Sequence, residues 1–363
     1  MKKIGGLLIL LVLLAYFFHL DKKPVNNKTL LPEQQILQNL SLEEKIGQLF
    51  MVRCPENQQL EIIQKYNLGG YILFARDFKD KTRDQVIATI NAYQDSSKIP
   101  MFIGVDEEGG SVVRVSQYKN LRNQAFLGPQ ELYSQGGFSL IYQDTVEKAR
   151  FLKDLGINLN FAPVADVSTS SNDFIYKRTI GQNQEVTQKY VETVVRAMNE
   201  EKMGSVLKHF PGYGNNLDTH LSSVIDKRDY KTFENSDFLP FKTGIENNAS
   251  MILVSHNIVL AMDPLYPASL SLKIHNILRD QLGFNGVIIT DDLAMGAIKS
   301  WQNDENLAVL AIEAGNDIIL TSSYEKEIAA IKNAVLKGEI TEERINESVL
   351  RILKLKLKLG IIE

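Results

Sequence analysis

The sequence predicts a (β/α)8 barrel of the TIM type as a single α/β domain, and three observations carry the prediction. Eight short apolar runs recur between residues 47 and 322, each followed by a polar or glycine-containing loop. Most of these runs are continuously apolar rather than alternating, the pattern of parallel strands covered on both faces. Amphipathic helical segments lie between them, which gives the repeated strand–helix order of a barrel. A doubly wound open sheet shares that order. It usually has fewer strands and often a glycine-rich first turn, and no such turn is present here.

Taken in order, the chain opens with MKKIGGLLILLVLLAYFFHL, in which Ile4–Leu20 holds no acid, lysine or arginine. Residues 1–20 read as an uncleaved signal anchor or a cleaved signal peptide, with the body exported to the outer side of the cytoplasmic membrane. No cysteine lies near this run, which removes a lipoprotein anchor. Residues 21–32 carry two prolines and read as a polar tether, leaving residues 33–363 for the barrel. Ser41 with Glu44 three residues later forms the signature of a capping box at the start of a helix.

The strand candidates are, first, GQLFMVR (47–53), GGYILFA (69–75), MFIGVD (101–106) and NLNFAPVAD (158–166). They continue with GSVLKHF (204–210), SMILVSH (250–256), GVIITDD (286–292) and NDIILTS (316–322). TRDQVIATINAYQDS, QEVTQKYVETVVRAMNEE and LSLKIHNILRDQLG supply helical patterns between them, and Thr341–Leu359 reads as a last helix stopped by Gly360.

Composition excludes several function classes. The chain has 363 residues, 44% hydrophobic and 23% charged, which is ordinary for a globular protein. A net charge of −4 argues against nucleic acid as a partner. Cys54 is the single cysteine, so intrachain disulfides and cysteine-built metal clusters are excluded, and it reads as a small buried hydrophobe.

In a barrel, function sits where strands end. The third candidate strand ends in Asp106, Glu107 and Glu108, with Arg114 beyond; the fourth ends at Asp166, with Lys177 and Arg178 in its loop. The fifth ends in Lys208 and His209, with Asp218 and His220 next in KHFPGYGNNLDTH; the sixth ends at His256 and the seventh in Asp291 and Asp292. One strand-end aspartate is often only a helix N-cap, but capping does not explain so many proton-active ends. Asp291 is a candidate nucleophile or transition-state anion. Asp218, two residues before His220, is able to orient that imidazole and raise its pKa if the loop turns. A histidine tuned near neutrality donates and then takes back a proton, as a hydrolase with a covalent intermediate requires. Asp106, Arg114, Arg178, Lys208 and His209 offer hydrogen bonds to a polyol or carbonyl group. Glycosidases usually use two carboxylates, so a carboxylate with a His–Asp pair is a departure from that pattern.

These residues fall in ordered motifs: GGYILFARD (69–77), GVDEEGGSVVR (104–114), KRTIG (177–181), KHFPGYG…DTH (208–220) and GVIITDDLAMGAI (286–298). With them the chain resembles the β-N-acetylglucosaminidases of glycoside hydrolase family 3, a group of cell-wall-recycling β-hexosaminidases. The resemblance runs from residue 41 to the end of the barrel. It implies a retaining mechanism in which Asp291 is the nucleophile, His220 the general acid/base and Asp218 the residue that orients it. Asp106, Arg114, Arg178, Lys208 and His209 would bind the sugar. It implies no metal and no cofactor, with terminal β-linked GlcNAc of peptidoglycan fragments, or another β-GlcNAc saccharide, as substrate. The chain departs from this branch in having three residues between Gly214 and Asp218 where four are usual. Single-domain members are often cytoplasmic, whereas this chain starts with a membrane-type segment. A monomer is the expected assembly. The rival readings are a β-glucosidase or β-xylosidase of the same family, a metal-dependent barrel hydrolase, and a catalytically silent sugar binder.

Overall fold

A computed structural model of the chain describes residues 30–216, 224–301 and 306–363. Residues 1–20, most of the 21–32 tether, and both Asp218 and His220 therefore lie outside the described residues. Eight parallel strands form one sheet. In chain order they are β1 (Phe50–Arg53), β2 (Gly70–Leu73), β3 (Phe102–Val105), β4 (Leu159–Asn160), β5 (Gly204–Phe210), β6 (Met251–Val254), β7 (Val287–Thr290) and β8 (Ile319–Thr321). From β1 to β7 each pairs with the next, β8 pairs with β1, and a parallel bridge between Ile289 and Ile318 joins β7 to β8 and completes the circuit. The expected barrel and all eight expected strands are present.

Period-two alternation sorts the apolar strand residues into two layers. Met51, Ile72, Phe102, Leu159, Val206, Met251, Leu253, Val287, Ile289 and Leu320 fill the barrel interior. Phe50, Val52, Tyr71, Ile103, Leu207, Ile252, Ile288 and Ile319 face the surrounding helices. Both faces are buried, which is why the runs are apolar without interruption. Gly104 continues the inward row of β3. A Cβ there would lie 2.6 Å from Met51 Cε and 2.8 Å from a Phe161 ring carbon, so the crowded interior requires glycine.

Helices Gln59–Tyr66, Arg83–Asp95, Pro129–Asp154, Gln184–Glu200, Phe238–Glu246, Leu272–Asn276, Leu307–Ala314 and Tyr324–Lys337 come after the eight strands in turn. The capping box forms as read: Glu44 N–H donates to Ser41 Oγ at 3.3 Å, and Ser41 N–H donates to the Glu44 carboxylate at 2.8 Å. A helix at Pro32–Gln38 precedes it. The final helix, Glu342–Leu359, stops at Gly360, whose φ is 70°. Its Ile352, Leu355 and Leu359 join the barrel-interior cluster, so this helix plugs the end opposite the functional mouth. A short parallel pair not expected from sequence, Ile225–Asp226 with Ile258–Val259, braces the loops after β5 and β6. Cys54 is 1% exposed and burial pushes its thiol up to about 12, in keeping with a packing role. Among the described residues no helix is long and apolar enough to cross a membrane.

Candidate active site

The inward rows of the strands change character at their C-terminal ends. Phe102 and Gly104 lead to Asp106, Val206 to Lys208, and Val287 and Ile289 to Asp291, each two residues further along. A side-chain period of two therefore carries apolar residues through the barrel and then delivers charge to its mouth. A cleft of about 410 Å³ opens there, lined by Asp106, Arg114, Arg178, Lys208, His209 and Asp291 together with Arg53, Phe74, Phe161 and Phe174. Clefts of about 430 Å³ beside Arg150 and about 510 Å³ beside Asn306 lie on the outer helices. Size does not single out the site; the convergence of strand ends does.

The ion pairs inside the cleft form one network. Lys208 Nζ lies 2.7 Å from Asp106 Oδ1 and 2.7 Å from Glu108 Oε1. Arg178 grips the same Glu108 with two bonds, Nε at 3.0 Å and Nη2 at 2.7 Å, the fork geometry that guanidinium favours. Burial works against the Glu108 charge, but Arg178 and Lys208 outweigh it and hold its carboxyl well below the usual carboxylate range. Burial likewise opposes charge on Arg178, and Glu108 overrides it, keeping the guanidinium more firmly protonated than usual. Arg114 reaches Asp106 Oδ2 at a looser 3.6 Å.

His209 is fixed on both sides. Its Nδ1 lies 2.7 Å from Asp166 Oδ2, and its Nε2 lies 3.3 Å from Arg178 Nη2. Guanidinium nitrogens only donate, so Nε2 accepts and the ring proton sits on Nδ1, facing the carboxylate. Asp166 also accepts from the backbone N–H groups of His209 and Tyr213. Lys208 and His209 are adjacent, and a regular strand would send them to opposite faces. Between the β5–β6 pairs Leu207–Ile252 and Phe210–Val254, two residues of β5 oppose one of β6. The regular alternation is interrupted there, and both side chains line the cleft.

Asp291 sits just past β7, where its backbone N–H donates to Val254 O at 2.9 Å and its Oδ1 accepts from Asp292 N–H at 2.9 Å. Asp292 accepts from Ala294 N–H at 2.8 Å and so starts the next turn. Burial pushes the Asp292 carboxyl above the usual carboxylate range, the Ala294 bond opposes the rise, and the Asp291 charge adds to it. His256 is buried, with Nδ1 2.7 Å from Ser269 Oγ and Nε2 3.1 Å from Asp292 O, so it braces the Asp291–Asp292 turn. His275 is buried in its helix. Trp301 donates to Leu265 O and packs on Tyr266, while Tyr213 is buried beside His209.

The structure thus gathers six of the residues singled out from sequence, Asp106, Arg114, Arg178, Lys208, His209 and Asp291, in one cleft. Three further groups were not singled out as site residues. Glu108 neutralises Lys208 and Arg178, and Asp166 sets the His209 tautomer. Buried Glu107 accepts from the backbone N–H groups of Arg114, Val115 and Ser116 and from the Ser116 hydroxyl, fixing the loop that carries Arg114. The signal available for all three was position: acids at strand ends beside cations that need a counter-charge. Among the described residues, His, Cys, Asp and Glu side chains form no group of three or more placed to hold a metal ion.

Residues 41–355 match the family described as the glycosyl hydrolase family 3 N terminal domain. Among curated proteins, the chain is 31% identical over 331 residues to a Beta-hexosaminidase A of Pseudoalteromonas piscicida, covering 82% of this chain and 55% of that protein. It is 33% identical over 258 residues to a Beta-hexosaminidase of Nitrosomonas eutropha, covering 70% and 73%. Among solved structures, it superimposes with a TM-score of 0.82 and 30% identity on a glycoside hydrolase family 3 beta-N-acetylglucosaminidase from Paenibacillus sp., covering 89% of this chain and 63% of that one. The chain therefore spans just over half the length of the first of these relatives.

Proposed function

This chain belongs to glycosyl hydrolase family 3, and from that premise we propose that it is a retaining exo-β-N-acetylglucosaminidase acting on terminal β-linked GlcNAc in peptidoglycan-derived fragments. The single observation that carries the reading is Asp291, the next member of an inward strand row, sharing one cleft with the paired groups Asp106, Arg178, Lys208 and His209. The names of the similar proteins, β-hexosaminidase and β-N-acetylglucosaminidase, favour a GlcNAc substrate over a glucoside.

In this reading the sugar hydroxyls bind to the polar groups of the cleft, where binding energy holds the ring for attack. The Asp291 carboxylate attacks the anomeric carbon as His220, oriented by Asp218, gives its proton to the departing glycosidic oxygen. Water then attacks the glycosyl ester while His220 takes a proton back, and GlcNAc leaves with Asp291 restored. The segment 1–20 would hold the barrel at the outer side of the cytoplasmic membrane; its apolar run and the polar tether behind it support that reading.

The test compares kcat/KM for p-nitrophenyl β-GlcNAc and p-nitrophenyl β-glucoside. The GlcNAc substrate should be much the better of the two, and preference for the glucoside would overturn the sugar assignment.

A further inference from the structure

Phe174 lies in the loop between β4 and the Gln184–Glu200 helix and is 41% exposed, while Lys208 and His209 in the same cleft are 2% and 6% exposed. A large aromatic ring left half open to water at the edge of a polar cleft forgoes the gain of burial. The loop that holds it is pinned. Ser168 Oγ donates to Asp173 Oδ2 at 2.7 Å, and the N–H groups of Tyr176 and Arg178 donate to Asp173 O and Ile175 O. The ring is also backed. Its centroid lies 5.8 Å from that of Tyr213, at 37°, and Tyr213 is itself buried and held by its N–H bond to Asp166. Phe174 is therefore a fixed aromatic platform, supported by Tyr213 and open to the solvent at the cleft edge.

The deep part of the cleft is charged and suits the hydroxyls of a terminal sugar. The remainder of the substrate, on the far side of the glycosidic bond, must extend toward solvent past the rim. The C–H groups on a pyranose face carry partial positive charge and pack well on the negative face of an aromatic ring. We propose that Phe174 is a specificity-determining residue that receives the ring of the departing saccharide, so that a sugar leaving group is bound and a small one is not. The inference rests on the GlcNAc-hydrolase reading of the cleft.

The test measures kcat/KM on N,N′-diacetylchitobiose, whose leaving group is a sugar, and on β-GlcNAc fluoride, whose leaving group is one atom. Wild type, Phe174→Ala and Phe174→Trp are compared, with Tm recorded for each. In Phe174→Ala the disaccharide-to-fluoride ratio of kcat/KM should fall about fivefold or more, chiefly through KM, the loss expected for one aromatic contact. Phe174→Trp should keep the wild-type ratio. An unchanged ratio in Phe174→Ala overturns the proposal, including the case in which both substrates lose equally because the fold is weakened. If the wild type cleaves neither substrate, the proposed function falls and this inference with it, an outcome distinct from an unchanged ratio in an active enzyme.

Discussion

Lys208 is 2% exposed and its ammonium is shared between Asp106 and Glu108 at 2.7 Å each. A buried cation is tolerated only when opposite charge and hydrogen bonds replace its water, and the same holds for Arg178 across Glu108. The charged groups of the cleft therefore hold one another in place, and under the proposed function they would need little reorganisation as charge develops. Against that fixed background the two proposed chemical roles separate by experiment. Asp291→Ala should abolish turnover while leaving Tm close to wild type, because the residue stands at the rim of the packed interior and is half-buried. His220→Ala should slow hydrolysis strongly for poor leaving groups and far less for activated aryl or fluoride substrates, since those depart without a proton. Equal losses on both substrate types would remove His220 from the acid role. Asp291 was singled out as an acid at a strand end, and the structure places it in the cleft. The nucleophile role, and the roles of His220 and Asp218, are implied by the family resemblance, and the latter two residues lie outside the described residues. His209 was legible as a strand-end residue, but its orientation was not. A regular strand would turn it away from Lys208, but the pairing of β5 is irregular between Leu207 and Phe210, and both side chains line the cleft.

The loop after β5 is anchored by an element that the sequence did not announce. Arg228 donates to Asp226 through Nε and Nη2, to Asp237 at 3.0 Å through Nη1, and to the backbone oxygen of Gly212 at 3.0 Å. Asn216 Nδ2 donates to Asp226 Oδ2 at 2.6 Å. The cluster thus fastens residues on both flanks of 217–223. Gly214, with φ 55°, makes room for it, since a Cβ there would fall 2.3 Å from the Arg228 guanidinium carbon. Strand and helix periods were readable from local pattern, but this contact joins residues up to 25 positions apart (Gly212 to Asp237) and leaves no periodic trace. It yields a stability prediction. Asp226 and Asp237 are 1% and 2% exposed, and burial already pushes the Asp237 carboxyl up to about 6 against the pull of Arg228. Arg228→Met would leave two buried carboxylates facing each other, at a cost of about 3 kcal/mol or more at pH 8. A carboxyl whose folded pKa is raised destabilises above that pKa and ceases to do so once protonated. The loss should therefore shrink on acidification from pH 8 to pH 5. Denaturant unfolding at the two pH values checks this, and a loss that grows toward pH 5 would contradict it.

At the scale of the whole barrel, the paired charges of the cleft gather at one mouth and the Glu342–Leu359 helix packs into the opposite end. That closure carries one anomaly. Lys356 projects from the plug into the apolar layer, 0% exposed, with its Nζ donating to Gln48 Oε1 at 2.7 Å and lying 5.1 Å from the centroid of the Phe102 ring. Neither partner carries a negative charge, and burial pushes the Lys356 ammonium down to about 7 from its ordinary 10.5. That depression fixes the sign of the linkage. Below pH 7 the amine is protonated in both the folded and unfolded chain, and the folded protein bears the full cost of a buried cation. Between pH 7 and 10.5 the unfolded chain still holds the proton that the folded chain has released, so this site makes stability rise with pH. Lys356→Met keeps the volume and removes the charge. Whatever the variant loses at Gln48 is the same at every pH, so the pH dependence of the difference isolates the buried amine. The Tm of Lys356→Met relative to wild type should be clearly more favourable at pH 6 than at pH 9.5. A difference that stays flat across that interval would show that the plug accommodates the ammonium without cost. The cleft proposed as the active site lies at the other end of the strands, so kcat/KM at pH 7 should be unaffected by the substitution.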